Sequence, residues 1–405
     1  MRFCKKTYAL LLCLTIGVYC DAQHSFQVAN IEFWGNKISF KYPELQLDLV
    51  DQSINSAFDQ VLGSIDGSIT DAIEVIRLTK KEQKLSDWLT YQLIRKCANA
   101  ITPKEKNFNL YTLTKAVLLE HLGYTPLLCW EGTSYLLYVK SEEEVFNLPI
   151  KMYKGDSYVC INHHDFNFTE TIPFSILGIQ ILNPENGNPF KFSISTIPVV
   201  PNESANEKIF TFQYRSKIMQ LPILVNPEVR NYFTNYPATS YATQFNIPLN
   251  ELTRQSLTNN LKKKLVGLTV NEGVELLLSF TRTAFDFAND TEIFGREKRL
   301  TPEETLLYDK SDCEDRAALF FYLVKEIYNL PMVVLSYPDH VNVGVALDGK
   351  GFTVNHQNRS YTVCEPTPQK KNLPLGKLNA TRKKQPFEIA YSYLPSNSTI
   401  PDNQP

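Results

Sequence analysis

The stretch "YDKSDCEDRAALFFYLVKE", residues 308–326, decides the fold because it joins a helix-start signal to a long apolar helix. Ser311 is the predicted N-cap, since Glu314 lies three residues further on and completes a capping box. Cys313 then falls in the first turn, where free N–H groups and the helix dipole favour a thiolate, although the neighbouring carboxylates oppose it. A structural cysteine more often lies further along, among the apolar residues. The pattern therefore predicts a reactive thiol at a helix start.

A base and an orienting acid follow this cysteine in the chain. The run "HVNVGVAL" alternates as a strand does and places His340 at its beginning, on the smaller and more polar face. Glu365 ends a later strand, "YTVCE", just before a proline. If that strand returns antiparallel beside the first, Glu365 ends near His340. A thiol, an imidazole that takes its proton and a carboxylate that orients the ring together make a nucleophilic site.

The segments "DCEDRAALFFYLVKEIYNLP", "YPDHVNVGVAL" and "YTVCEPTP" together resemble the core of the transglutaminase-like superfamily, within the papain-like fold. The resemblance covers roughly residues 250–380. It implies a Cys-His-Asp triad, carried here onto Cys313, His340 and Glu365, and this chain departs from it at the third position, where the family usually has aspartate. It also implies acyl transfer from a protein or peptide through a Cys thioester, with no metal and no organic cofactor. Attack by water would make the chain a cysteine peptidase or amidase, and attack by an amine would make it a protein-glutamine acyltransferase.

The helical regions follow one plan twice, each copy running helix, helix, strand, strand, with "SYVC" in the first echoed by "SYTVC" in the second. In the first copy Asn109 and Leu110 stand near the position of the cysteine, and Ser134 and Tyr135 near that of the histidine. No carboxylate replaces the acid near residues 160–162. The first copy is therefore predicted to be degenerate.

The predicted fold class is α+β, with a duplicated papain-like core in which the helix bearing the cysteine packs on an antiparallel sheet. Alternating strand patterns broken by proline, asparagine and glycine predict a small all-β, sandwich-like region between the copies. The predicted segments are a signal peptide over 1–22, a degenerate domain over 23–165, the β region over 166–245, the catalytic domain over 246–385 and a flexible tail over 386–405.

Composition and the first residues limit the possible partners and the cellular location of the chain. The 405 residues carry a formal net charge of -2 with no strongly basic half, so nothing indicates a nucleic-acid partner. The basic "MRFCKK" followed by a short apolar run to Ala22 predicts export to the periplasm or the extracellular space. Lipid anchoring through Cys20 is disfavoured, because the bulky Tyr19 precedes it. No later run is long and apolar enough for a membrane helix, and the sequence leaves the oligomeric state open.

A second reading stays open, in which the chain is an inert exported protein that binds a peptide or glycan and keeps a relic of the triad. The glutamate and the degenerate first copy both favour it. His340 could then be a solvent-exposed histidine at a strand edge, and Glu365 a residue that merely ends a strand. A metal site at His163 and His164 is disfavoured, because adjacent side chains on a strand point apart.

Overall fold

The structure is a computed structural model that describes residues 26–43, 54–131, 134–166, 179–181, 187–199, 205–349, 351–370 and 372–395. These residues form helices and mainly antiparallel sheets, which confirms the predicted α+β class. The predicted signal peptide over 1–22 lies outside the described residues. Within the described ranges, every helix is too short or too polar to cross a bilayer.

The helices of the described residues are α1 (Ile54–Ser68), α2 (Thr70–Glu82), α3 (Asp87–Ile101), α4 (Phe108–His121), α5 (Val229–Phe233), α6 (Tyr241–Gln244), α7 (Glu251–Leu265), α8 (Val270–Thr283), α9 (Asp290–Phe294), α10 (Pro302–Leu307), α11 (Cys313–Tyr328) and α12 (Ala380–Lys384). A 3₁₀ turn covers His163–Asp165. The strands are β1 (Phe26–Phe33), β2 (Asn36–Pro43), β3 (Pro126–Glu131), β4 (Ser134–Lys140), β5 (Val145–Phe146), β6 (Ile150–Tyr153), β7 (Asp156–Cys160), β8 (Ile179–Ile181), β9 (Asn206–Tyr214), β10 (Lys217–Val225), β11 (Ala238–Thr239), β12 (Asp286–Phe287), β13 (Lys310–Ser311), β14 (Met332–Tyr337), β15 (His340–Val345), β16 (Thr353–His356), β17 (Arg359–Cys364) and β18 (Glu388–Tyr393).

Two five-stranded sheets have the same strand order. One runs β6-β7-β4-β3-β8 and the other β16-β17-β15-β14-β18, and every neighbouring pair in both is antiparallel. If the strands of each sheet are numbered along the chain, both orders read 3-4-2-1-5. We call residues 26–181 the first unit and residues 206–393 the second unit.

A β-hairpin precedes the helices of each unit. β1 and β2 pack against α3 and α2, and β9 and β10 pack in the same way against α8 and α7. In the second unit the packing is aromatic, since the Phe210 and Phe212 rings lie 5.8 and 5.4 Å from the Phe280 ring.

These contacts correct the prediction of a separate sandwich-like region over 166–245. In the described part of that range, β8 joins the sheet of the first unit, while β9 and β10 cover the helices of the second. Alternating strands need an apolar partner surface, and here helices provide it instead of a second sheet.

The predicted flexible tail over 386–405 is also corrected in part. Glu388–Tyr393 forms β18, which pairs antiparallel with β14 at the edge of the sheet. The rings of Tyr391 and Tyr393 lie 5.8 and 5.9 Å from that of Phe321. This apolar contact orders a segment whose local sequence reads as polar and proline-bearing. Residues 396–405 lie outside the described residues.

Helix α11 forms the centre of the second unit. Its residues 315–324 are all buried, and it packs against α8 and β15. The run of alanine, leucine and phenylalanine gives it apolar surface all round, as a helix at the centre of a core requires. It ends at Asn329, whose φ of 50° places it in the left-handed region that closes helices.

Candidate active site

Cys313 lies in the first turn of α11, as the sequence predicts, but it is the first residue of the helix and the cap differs. The N-cap is Asp312, whose carboxylate accepts hydrogen bonds from the backbone N–H groups of Glu314 and Asp315 at 3.0 and 3.2 Å. Asp315 completes the capping box by accepting from the Asp312 N–H at 3.3 Å. The predicted cap, Ser311, lies instead in β13, which pairs with β12. The pairing of β13 with β12 holds Ser311 in a strand, and the helix therefore begins one residue later, with Asp312 as its cap.

Arg316, in the first turn of α11, fixes the start of this helix through its side chain. Its guanidinium is fully buried and donates to the backbone carbonyls of Thr281, Arg282, Phe285 and Asp286 at 2.8 to 3.0 Å. These carbonyls lie at the end of α8 and just after it. Arg316 therefore joins the two helices and fixes where the cysteine stands.

The thiol of Cys313 has an unfavourable electrostatic setting for a free thiolate. Burial, followed by the negative charges of Asp312 and Glu314, raises the pKa of Cys313 well above its ordinary value. A hydrogen bond from the backbone of Val341 acts in the opposite direction. The thiol is therefore protonated at neutral pH in this environment, and a nearby base has to remove the proton.

His340 begins β15 and lies directly opposite Tyr337 across the turn from β14. It is 8% exposed, so it is not the solvent-exposed strand-edge residue of the alternative interpretation. Because Val341 follows it directly, the hydrogen bond from Val341 to Cys313 places the thiol beside the start of this strand.

Glu365 follows β17, and its carboxylate faces the imidazole. Both carboxylate oxygens lie 2.9 Å from Nε2 of His340, and the pair is buried. A carboxylate accepts hydrogen bonds, so the neutral tautomer that satisfies this contact has its proton on Nε2, and in that tautomer Nδ1 is an acceptor. The antiparallel pairing of β15 with β17 brings the two residues together, as the sequence predicts.

Two further contacts hold Glu365 in place. The backbone N–H of Thr367 donates to Oε1 at 3.1 Å, and Nε of the buried Arg282 donates to the Glu365 carbonyl at 2.5 Å. Nη1 of Arg282 also donates to the carbonyl of Leu373 at 2.7 Å. The sequence reasoning missed Arg282, because an arginine near the end of a helix usually reads as a solvated cation.

Three aspartates form an acidic group beside the thiol. Asp290, Asp312 and Asp315 each bring a carboxylate oxygen within 4.8 Å of the others, a spacing that could hold a cation. Burial and then the charge of Asp312 raise the pKa of Asp290 to about 7, and burial and then the charge of Glu314 raise that of Asp312 to about 6. Burial, followed by the negative charges of Asp312 and Asp290, raises the pKa of Asp315 well above its ordinary range.

The first unit has asparagines where the second has the cysteine and the acid. Oδ1 of Asn109 accepts from the backbone N–H of Tyr135 at 3.1 Å, as the thiol of Cys313 does from Val341. By strand register, Ser134 stands in the place of His340, and Asn162 in that of Glu365. Asn162 accepts from the Leu137 N–H at 2.8 Å and donates to the Tyr135 carbonyl at 3.0 Å. Asn162 therefore bridges two backbone groups and Asn109 binds one, and neither side chain supplies a nucleophile or a base.

His163 and His164 lie in the 3₁₀ turn after β7 and not on a strand. Nε2 of His164 lies 3.2 Å from a carboxylate oxygen of Asp165, and burial lowers the pKa of His164 to about 3. Lys115 is fully buried nearby, with its ammonium nitrogen 3.7 Å from Asp165. The two histidines therefore adjoin a buried Lys–Asp pair.

Comparison with family models, with curated proteins and with solved structures gives no match.

Proposed function

We propose that this chain is an exported transglutaminase-like cysteine enzyme that acts on amide or peptide acyl groups through a Cys313 thioester. The observation that carries the proposal is the buried His340–Glu365 pair at 2.9 Å. The residue after His340, Val341, hydrogen-bonds the thiol of Cys313 through its backbone. In this proposal the two sheets of identical strand order belong to a duplicated papain-like core, and the second unit is the catalytic one. The substrate is a protein or peptide, reached in the periplasm or outside the cell.

The chemistry begins with proton transfer. His340 accepts the Cys313 proton at Nδ1 as the sulfur attacks the amide carbonyl, and the new C–S bond leaves an oxyanion. The backbone N–H of Cys313, which the Asp312 cap does not engage, can donate to that oxyanion. The C–N bond then breaks as His340 returns its proton to the leaving amine, which gives a thioester.

The second half releases the acyl group. Water or an amine attacks the thioester as His340 takes its proton, and the C–S bond then breaks as His340 returns that proton to the sulfur, which regenerates the thiol. Because the environment of Cys313 favours the thiol form, His340 acts in this scheme as a general base and not as the partner of a preformed thiolate. Glu365 stabilises the imidazolium that forms in each half.

Intact-protein and peptide mass spectrometry tests the proposal. The folded chain is incubated with a mixture of unmodified peptides, with and without a primary amine, and products are compared with those of Cys313→Ala and His340→Ala. New peptide termini or amine adducts that both substitutions abolish are expected. Turnover that survives in Cys313→Ala would overturn the proposal.

One observation favours a different function. Burial and the adjacent carboxylates raise the pKa of Cys313, as suits a thiol that no longer reacts. The chain would then be an exported peptide- or glycan-binding scaffold with a relic triad. Peptide binding that Cys313→Ala leaves unchanged, together with no turnover, would support this alternative.

A further inference from the structure

Asn342 contacts both members of the His340–Glu365 pair. It lies two residues after His340 on β15, so strand alternation puts the two side chains on the same face, and its exposed fraction is 0%. Its amide group is surrounded by acceptors: the Val341 carbonyl at 3.1 Å and the Glu365 oxygens at 3.2 and 3.1 Å. His340 Nε2 lies 3.2 Å away. The carbonyl and carboxylate oxygens need a donor, and only the amide nitrogen supplies one, so it faces Glu365 and the amide oxygen points away.

The other side of the amide faces a phenol. Tyr337 is buried and lies opposite His340 in the strand register, and its hydroxyl is close enough to the Asn342 side chain for the amide to influence the pKa of the phenol. The structure gives this hydroxyl no well-aligned hydrogen bond to any described residue. With the amide nitrogen on Glu365, the Asn342 oxygen is the acceptor available to it, and Asn342 lies between Tyr337 and the His340–Glu365 pair.

A glutamate needs such support more than an aspartate does. Its side chain has one more rotatable bond, so holding its carboxylate in one place costs more conformational entropy. A carboxylate accepts up to about four hydrogen bonds. Here His340 and the Thr367 N–H supply three contacts, and the Asn342 amide meets both oxygens from the remaining side.

We propose that Asn342, oriented by Tyr337, is a positioning residue that fixes the Glu365 carboxylate on Nε2 of His340 and so holds Nδ1 free for Cys313. This inference rests on the proposed function, since it assigns a role in the same site. Asn342 itself touches neither the thiol nor the substrate in this role. It acts through Glu365, and the length of the glutamate is what makes it necessary.

The test uses the folded full chain and needs no substrate. The rate at which iodoacetamide labels Cys313 is measured against pH for the wild type, Asn342→Leu and Tyr337→Phe, with the thermal midpoint as a check on folding. Imidazole ¹⁵N chemical shifts report which nitrogen of His340 carries the proton. We expect Asn342→Leu to slow labelling at pH 7 about tenfold, the effect of losing one hydrogen bond to a charged group. Tyr337→Phe should slow it less, and the ¹⁵N shifts of Asn342→Leu should show a mixture of tautomers.

A double-mutant cycle separates positioning from general loss of structure. In a Glu365→Ala background, Asn342→Leu should cause no further slowing, because the carboxylate that it positions is gone. Equal slowing in both backgrounds would overturn the inference, because it would show that Asn342 acts independently of Glu365. If the leucine variant does not fold, Asn342→Ala carries the same expectations.

The outcomes also distinguish this inference from the proposed function. Labelling that slows in His340→Ala but not in Asn342→Leu, with unchanged ¹⁵N shifts, would overturn the positioning role and leave the Cys–His pair intact. A rate of Cys313 labelling that is the same in the wild type and in His340→Ala would overturn the proposed function. In that case the ¹⁵N shifts still decide whether Asn342 fixes the tautomer.

Discussion

Shortening Glu365 by one methylene tests how closely this site depends on glutamate. In Glu365→Asp the carboxylate withdraws by about 1.5 Å, the length of one C–C bond. In the wild type both glutamate oxygens lie 2.9 Å from Nε2 of His340. In the variant the distance from the carboxylate to Nε2 would therefore exceed the hydrogen-bond limit. The backbone cannot follow, because Arg282 holds the Glu365 carbonyl at 2.5 Å and β17 pairs on both sides.

The expected loss follows from the bond removed. A hydrogen bond to a charged group contributes about 1.5–3 kcal/mol, which corresponds to roughly 10- to 150-fold in rate. Iodoacetamide labelling of Cys313 at pH 7 should therefore slow by that factor in Glu365→Asp. Glu365→Gln, which keeps the length and loses the charge, serves as the matched variant and should also be slow. Labelling of Glu365→Asp at the wild-type rate or faster would refute the reasoning, because the family's usual aspartate would then serve equally well.

Three further predictions concern the surroundings of the site and the first unit. Burial lowers the pKa of Lys115 from 10.5 to about 7, so the folded chain lacks a proton that the unfolded chain keeps between these pH values. The free energy of unfolding of the wild type should therefore rise by about 3 kcal/mol between pH 7 and 9.5 and lose this gain as pH falls back through 7. Urea unfolding of Lys115→Met should lack the rise, the partly exposed Lys104→Met should keep it, and equal pH dependence in all three proteins would contradict the buried amine. Arg316→Gln should lower the free energy of unfolding by about 3 kcal/mol or more, since it leaves several buried carbonyls without a donor, and a loss below about 1 kcal/mol would contradict that role. Asp312→Asn keeps a capping side chain but removes a charge that raises the Cys313 pKa, so the midpoint of iodoacetamide labelling should fall by roughly one pH unit, and an unchanged midpoint would count against this electrostatic account.

Local pattern was enough to predict the elements that form the site. A helix opened by Cys313, a strand opened by His340 and a strand ended by Glu365 are each visible in a few residues, and antiparallel return brings the last two together. The contact at 2.9 Å follows from that geometry. The roles of the three residues in catalysis stay predictions.

Features that depend on distant partners could not be predicted in this way. The N-cap of α11 is Asp312 and not the predicted Ser311, because β13 pairs with β12, which lies more than 20 residues earlier in the chain. β18 forms because β14, far earlier in sequence, offers an open edge. The hairpin of β9 and β10 reads as part of a sandwich until its helical partner is known.

The first unit shows a related limit. The sequence predicted that the first unit has no cysteine, histidine or acid at the corresponding positions. It did not predict that Asn109 and Asn162, near the positions of the cysteine and the acid, would bind backbone groups. Nor did it predict that Lys115 is buried. Lysine is almost never fully buried unless it is paired, and no local pattern shows that Asp165, far along the chain, pairs with Lys115.

The central claim is that His340 activates Cys313, and the most direct measurement is the rate of Cys313 alkylation by iodoacetamide on the folded protein. The rate is followed by mass spectrometry across pH 5 to 9 for the wild type and His340→Ala, with a control that both retain the same thermal midpoint. Labelling at pH 7 should be at least about tenfold faster in the wild type, in keeping with the size of general-base effects. Equal rates in the two proteins, each with the pH midpoint of an unassisted thiol, would contradict the account and leave the binding protein as the better interpretation.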